Sequence, residues 1–239
     1  MSESNELVES NFLVDIINAA VKAKSDAARR YAEQKEKDNP TLSRSQMADI
    51  AITEDSIWAG LVGIGTGSIN AIPGLGQVIQ LGIIAPEVAY LFYLQTTLVV
   101  YLCKIYDKEL EEEQIRILVL ASLGGAAGVE IIKEAITKAA INASRKVIMN
   151  VLKGTVLKTL KDILKAVGIR FTRKGLLSKL PFISIAINPV MNYADIKLIG
   201  ITAKNYLEEI YGKCSNCGHK MPEVGKFCSM CGHRFEYSS

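Results

Sequence analysis

The chain is poor in the residues that enzymes rely on. Of 239 residues, two are histidine, one is tryptophan and five are cysteine. Both histidines, His219 and His233, sit at the C-terminus beside four of the cysteines, so no imidazole precedes them to activate a serine or thiol. Proline is scarce, at six residues, while Ala, Leu, Ile and Lys abound, and such a composition predicts helices. The Gly63-Ile-Gly-Thr-Gly-Ser stretch lacks the Lys-Ser/Thr pair that a Walker loop needs. Its glycines are spaced one, three, five rather than one, three, six, and no strand leads into them, which excludes a dinucleotide loop. The N-terminal MSESNELVES is acidic and polar, unlike a secretory signal or a transit peptide. The expected compartment is therefore the cytosol, where paired cysteines bind metal rather than each other. A net charge of +3 argues nothing about partners; its distribution does.

Charge is almost missing from one long run. Between Ser56 and Cys103 the only charged side chain is Glu87, and seven of the 18 glycines fall there with Pro73 and Pro86. Such a run is either the core of a helical domain or a segment that meets a bilayer. Pro86 suits the first turn of a helix, and Glu87 beside it would complement the helix N-terminus. Glycines four apart, Gly63 with Gly67 and Gly124 with Gly128, let helix backbones approach closely.

Around that run the pattern is amphipathic. Val8, Phe12, Ile16 and Ala20, with Leu13, Ile17 and Val21, mark a helix over 6–36 that Asn39-Pro40 ends. Ser43 or Ser45 is placed to cap a short helix through Ile52. After a charged connector from Lys104 to Glu113, a second glycine-rich helix is expected from Ile115 to Ala135. Residues 133–179 then hold 12 bases against Glu134 and Asp162. On a helix, Lys146, Lys153, Lys158, Lys161 and Lys165 share one face, with Ile148, Leu152, Val156, Leu160, Ile163 and Val167 opposite. That face reads as a solvated surface or as a contact for anionic lipid head groups. A nucleic-acid contact is disfavoured, because no aromatics interleave the bases. Pro181 and Asp195 repeat the 14-residue spacing of Pro73 and Glu87, a weak internal repeat of two helical hairpins, each with one acid in an apolar setting. Glu87 and Asp195 are thus candidate buried functional acids. A last helix is expected over about Met191 to Tyr211, ending at Gly212.

The C-terminus carries the sharpest motif. Cys214-Ser-Asn-Cys217-Gly-His and Cys228-Ser-Met-Cys231-Gly-His are near-copies 14 residues apart. Each is a knuckle that presents two sulfurs to one metal, with a glycine for the positive φ of the turn. Four thiolates, Cys214, Cys217, Cys228 and Cys231, suit a closed tetrahedral structural Zn²⁺ site without an open catalytic position. His219 and His233 lie outside that ligand set, and the alternative use of the cysteines is a redox dithiol pair. Cys103 has no sequence partner and reads as a buried apolar thiol. The fold class expected is mainly α: a glycine-rich bundle of helical hairpins with a small C-terminal β-hairpin zinc ribbon. The segments are an N-terminal amphipathic helix over 1–40, a helical domain over 41–211 and the ribbon over 212–239.

Several of these features resemble the EcsC family of bacterial helical proteins over about Gln46 to Leu207. They are Ala71-Ile72-Pro73-Gly74-Leu75-Gly76, the Pro86-Glu87 helix, Ile105-Tyr106-Asp107, and Lys179-Leu180-Pro181 leading to Asn188 and Asn192. The C-terminal 26 residues are similar to the short zinc ribbons attached to many bacterial proteins. The first resemblance implies association with membrane or membrane machinery and no assigned catalytic residue. The expected function is a non-enzymatic protein at the inner face of the cell membrane. It would meet an anionic membrane surface or a membrane protein, and dock a protein partner through its ribbon. The alternatives are a soluble helical scaffold or, less favoured, a nucleic-acid-binding protein.

Overall fold

The computed structural model describes residues 3–62, 86–124, 128, 130, 184–212 and 230–232. Their regular elements are five α-helices: α1 (Glu3–Asp38), α2 (Arg44–Val62), α3 (Pro86–Tyr106), α4 (Glu112–Leu123) and α5 (Ser184–Tyr211). The mainly helical class is as the composition predicts. The ribbon lies outside the described residues apart from Met230 to Gly232.

Each boundary has a local cause. Ser43 is the cap of α2: its Oγ accepts the Gln46 N–H at 3.2 Å, while Gln46 Oε1 accepts the Ser43 N–H at 2.9 Å. This reciprocal pair satisfies two donors that a helix N-terminus otherwise leaves open. The helix it starts does not stop at Ile52 but runs to Val62. Nothing between Thr53 and Val62 terminates a helix, and the polar Thr53 and Glu54 simply fall on its exposed side. Pro86 opens α3, in the first-turn position its missing N–H allows. That helix continues through Lys104 to Tyr106, so the connector shortens to 107–111. Lys104 is itself the clasp of this connector. Its buried Nζ donates to the carbonyls of Lys108 at 2.8 Å and Leu110 at 2.7 Å. Gly124 caps α4 after Leu123, so no single helix runs from Ile115 to Ala135. A Cβ at Gly128 would collide with the Ala121 carbonyl oxygen, which shows how close the backbones come there. α5 begins at Ser184, earlier than its apolar spacing predicts.

In its described part the apolar run from Ser56 to Cys103 gives Ser56, Ala59 and most of α3 to the core, while Ile57 and Trp58 are exposed. α3 touches each of the other four helices, and Phe92, Leu98, Leu102, Cys103 and Ile105 are fully enclosed. At about 25 cal/mol per Å² of apolar surface, a helix buried on every side but the Tyr90–Leu94–Thr97–Tyr101 stripe is a main driver of folding. From α1, Ile16, Ile17, Ala20 and Val21 pack on it, as their spacing predicts. Gly200 of α5 sits where α2, α3 and α5 converge, facing Ile52 and Leu98.

Pairings fix the directions. Lys24 lies over Tyr93, Tyr31 against Tyr101 and Glu36 on Lys108, so α1 and α3 run parallel. Leu98 meets Gly200 and Tyr106 meets Tyr211, so α5 runs parallel to α3. Asp49 pairs with Lys204 while Ile52 meets Gly200, so α2 opposes α5. The short connector after α3 turns α4 back along it. The two long connections, α2 to α3 and α4 to α5, therefore leave and re-enter the bundle at one pole. Ion pairs gather toward the other: Glu36–Lys108, Arg29–Glu109, Arg116–Glu112 and Lys204 with Asp49 and Glu208.

Candidate functional site

Most residues singled out in the sequence lie outside the described residues. These are Lys146, Lys153, Lys158, Lys161 and Lys165 of the basic face, the prolines Pro73 and Pro181, the histidines, and Cys214, Cys217 and Cys228. The second knuckle is described at Met230 to Gly232. Cys231 is exposed in a turn, and Gly232 has φ 69°. No atom lies within 4 Å of where a Gly232 Cβ would stand, so the backbone angle, not space, calls for glycine.

Glu87 is the second residue of α3, one step past Pro86. Asp195 is half-buried on α5, at the edge of the face that buries Ile196 and Ile199. With Leu98 opposite Gly200 on parallel helices, Asp195 is level with Tyr93 rather than with Glu87. Six residues at 1.5 Å rise separate the two levels by about 9 Å along the axis. The fold sets these two helix positions at different levels, and the Glu87 carboxylate itself lies outside the described side chains.

The fold brings together a different set, on the seam where α1, α2 and α3 meet. Tyr31 Oη donates to Glu54 Oε2 at 2.9 Å, and Lys35 Nζ bonds Glu54 Oε1 at 3.0 Å. The Tyr31 ring meets Tyr101 edge-on, with centroids 5.0 Å apart. Lys24 Nζ stands 6.0 Å from the Tyr93 ring centre. Asp55 is half-buried beside this cluster. Burial, and then the neighbouring Glu54 carboxylate, push its carboxyl up to about 6, with Lys24 pulling the other way. Burial also pushes the Tyr31 phenol up, helped by its bond to Glu54. Tyr101 is raised by burial and then by Asp55. The seam thus holds a carboxyl that gains or loses its charge near neutral pH, ringed by phenols that stay protonated.

Sequence reading passed over Asp55 because α2 was expected to end at Ile52. Extended to Val62, the spacing of Ala51, Ile52, Ser56 and Ala59 places Asp55 on the core side, a signal that was available. Cys103 is fully buried, and burial drives its thiol far up, which suppresses the reactive thiolate. Among the described residues, no group of three or more His, Cys, Asp or Glu is placed to hold a metal. None of the described helices is long and apolar enough to cross a membrane. No family model matches the chain, and neither a curated protein nor a solved structure matches it.

Proposed function

We propose that this protein is a non-enzymatic, peripheral membrane-surface protein whose helical bundle is carried on anionic lipid, with a structural zinc ribbon that docks a protein partner. One observation carries the reading. The two long connections that meet the bundle at a single pole are the uncharged 63–85 segment and the stretch containing the basic 133–179 segment. A segment without charge and a segment with 12 bases against two acids, delivered to the same end, are complementary to a bilayer interface and its anionic head groups. The placing of the protein at the inner face of the cell membrane follows from the same complementarity, since that leaflet is the anionic one.

Flotation with vesicles tests it. The chain is expected to float with vesicles containing phosphatidylserine and not with phosphatidylcholine alone, and to be released by carbonate. At roughly 1 kcal/mol per base near the surface, Lys153→Glu, Lys158→Glu and Lys161→Glu together are expected to lower partitioning by a factor of about a hundred or more. Absence of flotation on every lipid overturns the reading. The soluble scaffold then takes its place, and the burial of most of α3 in the bundle favours that alternative.

For the ribbon, the donor set is four thiolates in two knuckles, and the positive φ at Gly232 is the backbone turn such a knuckle needs. One Zn²⁺ per chain is expected by metal analysis, and a Cys214→Ser/Cys228→Ser double variant is expected to lose it. Chelation should unfold the 212–239 segment while leaving the helical bundle folded, because metal binding supplies the folding energy of so small a unit. Retention of zinc by the double variant would refute the ligand assignment.

A further inference from the structure

α3 is ringed by the other four helices, and the ring has one gap. α2 packs on α5, α5 on α4 and α4 on α1, but α1 and α2 scarcely pack on one another. They are joined across the gap by Tyr31 and Lys35, which both reach Glu54. Through the gap α3 shows Tyr90, Leu94, Thr97 and Tyr101, the only side chains of this helix, among those described, that are not buried. Tyr101 ties the strip to both walls: its ring meets Tyr31 of α1, and its phenol lies within the field of Asp55 of α2. Trp58, 64% exposed, stands one turn beyond Glu54 on the side of α2 that faces α1. The result is a groove walled by α1 and α2, floored by α3 and closed at one end by the Glu54 bridge. Along the floor the residues recur at i, i+4, i+7 and i+11, the spacing of a helix seam, over about 16 Å or three turns. One charge in the groove is unanswered. The Asp55 carboxylate, half-buried on the α2 wall, has no hydrogen bond or ion pair to any described residue. Glu54 beside it is taken up by Tyr31 and Lys35, and Lys24 lies over Tyr93.

We infer that this groove docks a helix of a partner protein, with apolar side chains laid along the α3 strip and an arginine or lysine brought to Asp55. The surface is independent of the membrane contact proposed above, since every residue in it belongs to the described helices. A helix is the occupant the backbone selects. The three lining elements are helices, whose main-chain groups are satisfied internally, so an extended strand would find no edge to pair with. A second helix can lay an i, i+3, i+4, i+7 face on a helical seam. A cationic side chain is selected by charge complementarity. Asp55 lacks a counter-charge and is repelled by Glu54, and the Tyr and Trp rings nearby favour a guanidinium or ammonium over a neutral group. The charged and titratable groups facing Asp55 are Glu54 on its own helix, Lys24 and Tyr31 on α1 and Tyr101 on α3. Burial and then Glu54 push its carboxyl up to about 6, so docking of a cation should strengthen as pH rises through that value.

Trp58 is the only tryptophan of the chain, so the unmodified protein reports on the groove. The probe is a helical peptide of about four turns with leucines at i, i+3, i+4 and i+7 and one arginine on the same face. Its twin carries citrulline, of the same shape but uncharged, in place of the arginine. At about pH 7.5 the arginine peptide is expected to shift Trp58 emission to the blue and to bind about tenfold more tightly than its twin, the size of one charge-assisted contact at a half-exposed site. Asp55→Asn, an uncharged variant of the same shape, is expected to bind the two peptides equally. The parent chain should do the same at about pH 4.5. Equal binding of the two peptides by the parent at about pH 7.5, or a preference that survives Asp55→Asn, would overturn the pairing with Asp55. No Trp58 response to either peptide would overturn the groove as a docking site. A blue shift that follows protein concentration alone would put a second copy of the chain on Trp58, and one that needs only phosphatidylserine vesicles would put a lipid surface there. Either would overturn the assignment of a partner helix.

Discussion

Asp55→Asn is expected to stabilise the folded chain by about 2–3 kcal/mol near neutral pH and to have almost no effect at about pH 4. The reason is the position of the carboxyl between Ile52 and Ser56 on the core side of α2, beside Glu54. Its folded pKa is about 6 against an ordinary value of 3.8. A group raised in this way favours the fold fully below its unfolded pKa, and that contribution is lost as pH rises through the folded pKa. The loss therefore falls between about pH 4 and 7, opposite in direction to that of a salt-bridged carboxylate. An uncharged amide of the same shape keeps the packing and removes the titration. Urea midpoints of parent and variant, compared at about pH 4.5, 6 and 7.5, read the effect as a gap that opens with pH. Glu54→Gln should close only part of that gap in the parent, because burial is the larger cause of the shift and the Glu54 charge the smaller. A gap of constant size at all three pH values, or one that closes as pH rises, would show that Asp55 is not held in this state.

The same residue shows where sequence reading reached and where it stopped. Caps and starts were legible because they depend on one or two adjacent residues. Ser43 with Gln46 begins α2, and Pro86 begins α3. The face of α1 that packs inward was legible for a related reason, since Ile16, Ile17, Ala20 and Val21 state its period. Ends were harder. Thr53-Glu54-Asp55 looks polar enough to finish a helix, yet two of the three side chains point to solvent and the third is half-buried on the core side. Lys104 likewise looked like the first charge of a connector. It is the last-turn lysine of α3, and its chain carries a buried amine to two connector carbonyls. Both misreadings took charge as a mark of the surface, whereas an amine or carboxyl can be drawn inward when backbone groups or neighbours receive it. Equal spacing after Pro73 and Pro181 says nothing about the level at which parallel helices meet, and the Leu98–Gly200 contact sets that level.

Gly200 is the other residue that the sequence left unmarked, and its substitution by a larger side chain is expected to destabilise the bundle in proportion to the volume added. A Cβ added there would stand 2.7 Å from Ile52 Cγ1, 2.9 Å from Leu98 Cδ2 and 3.1 Å from Ile52 Cγ2. Leu98 can swing its terminal methyl aside, but Ile52 is branched at Cβ and both of its close carbons are held near the backbone of α2. Two terms then oppose each other for Gly200→Ala. Helix propensity favours alanine by about 1 kcal/mol, and overpacking a filled core costs about 1–3 kcal/mol. The clash involves a stiff side chain at a three-helix junction, so overpacking wins and the net loss should be about 1 kcal/mol. Gly200→Val adds two methyl groups to the same space, gives up the propensity gain, and should cost upward of about 3 kcal/mol. A double-mutant cycle separates packing from propensity. Ile52→Ala alone opens a cavity and should cost about 2–5 kcal/mol. Combined with Gly200→Ala, it should cost at least about 1 kcal/mol less than the two single losses added, because the new methyl enters the space the isoleucine leaves. Additive losses, or a Gly200→Ala variant more stable than its parent, would mean that α2 and α5 stand further apart than this contact requires. Thermal unfolding of the parent, the two single variants and the double variant therefore tests the packing at the junction of α2, α3 and α5.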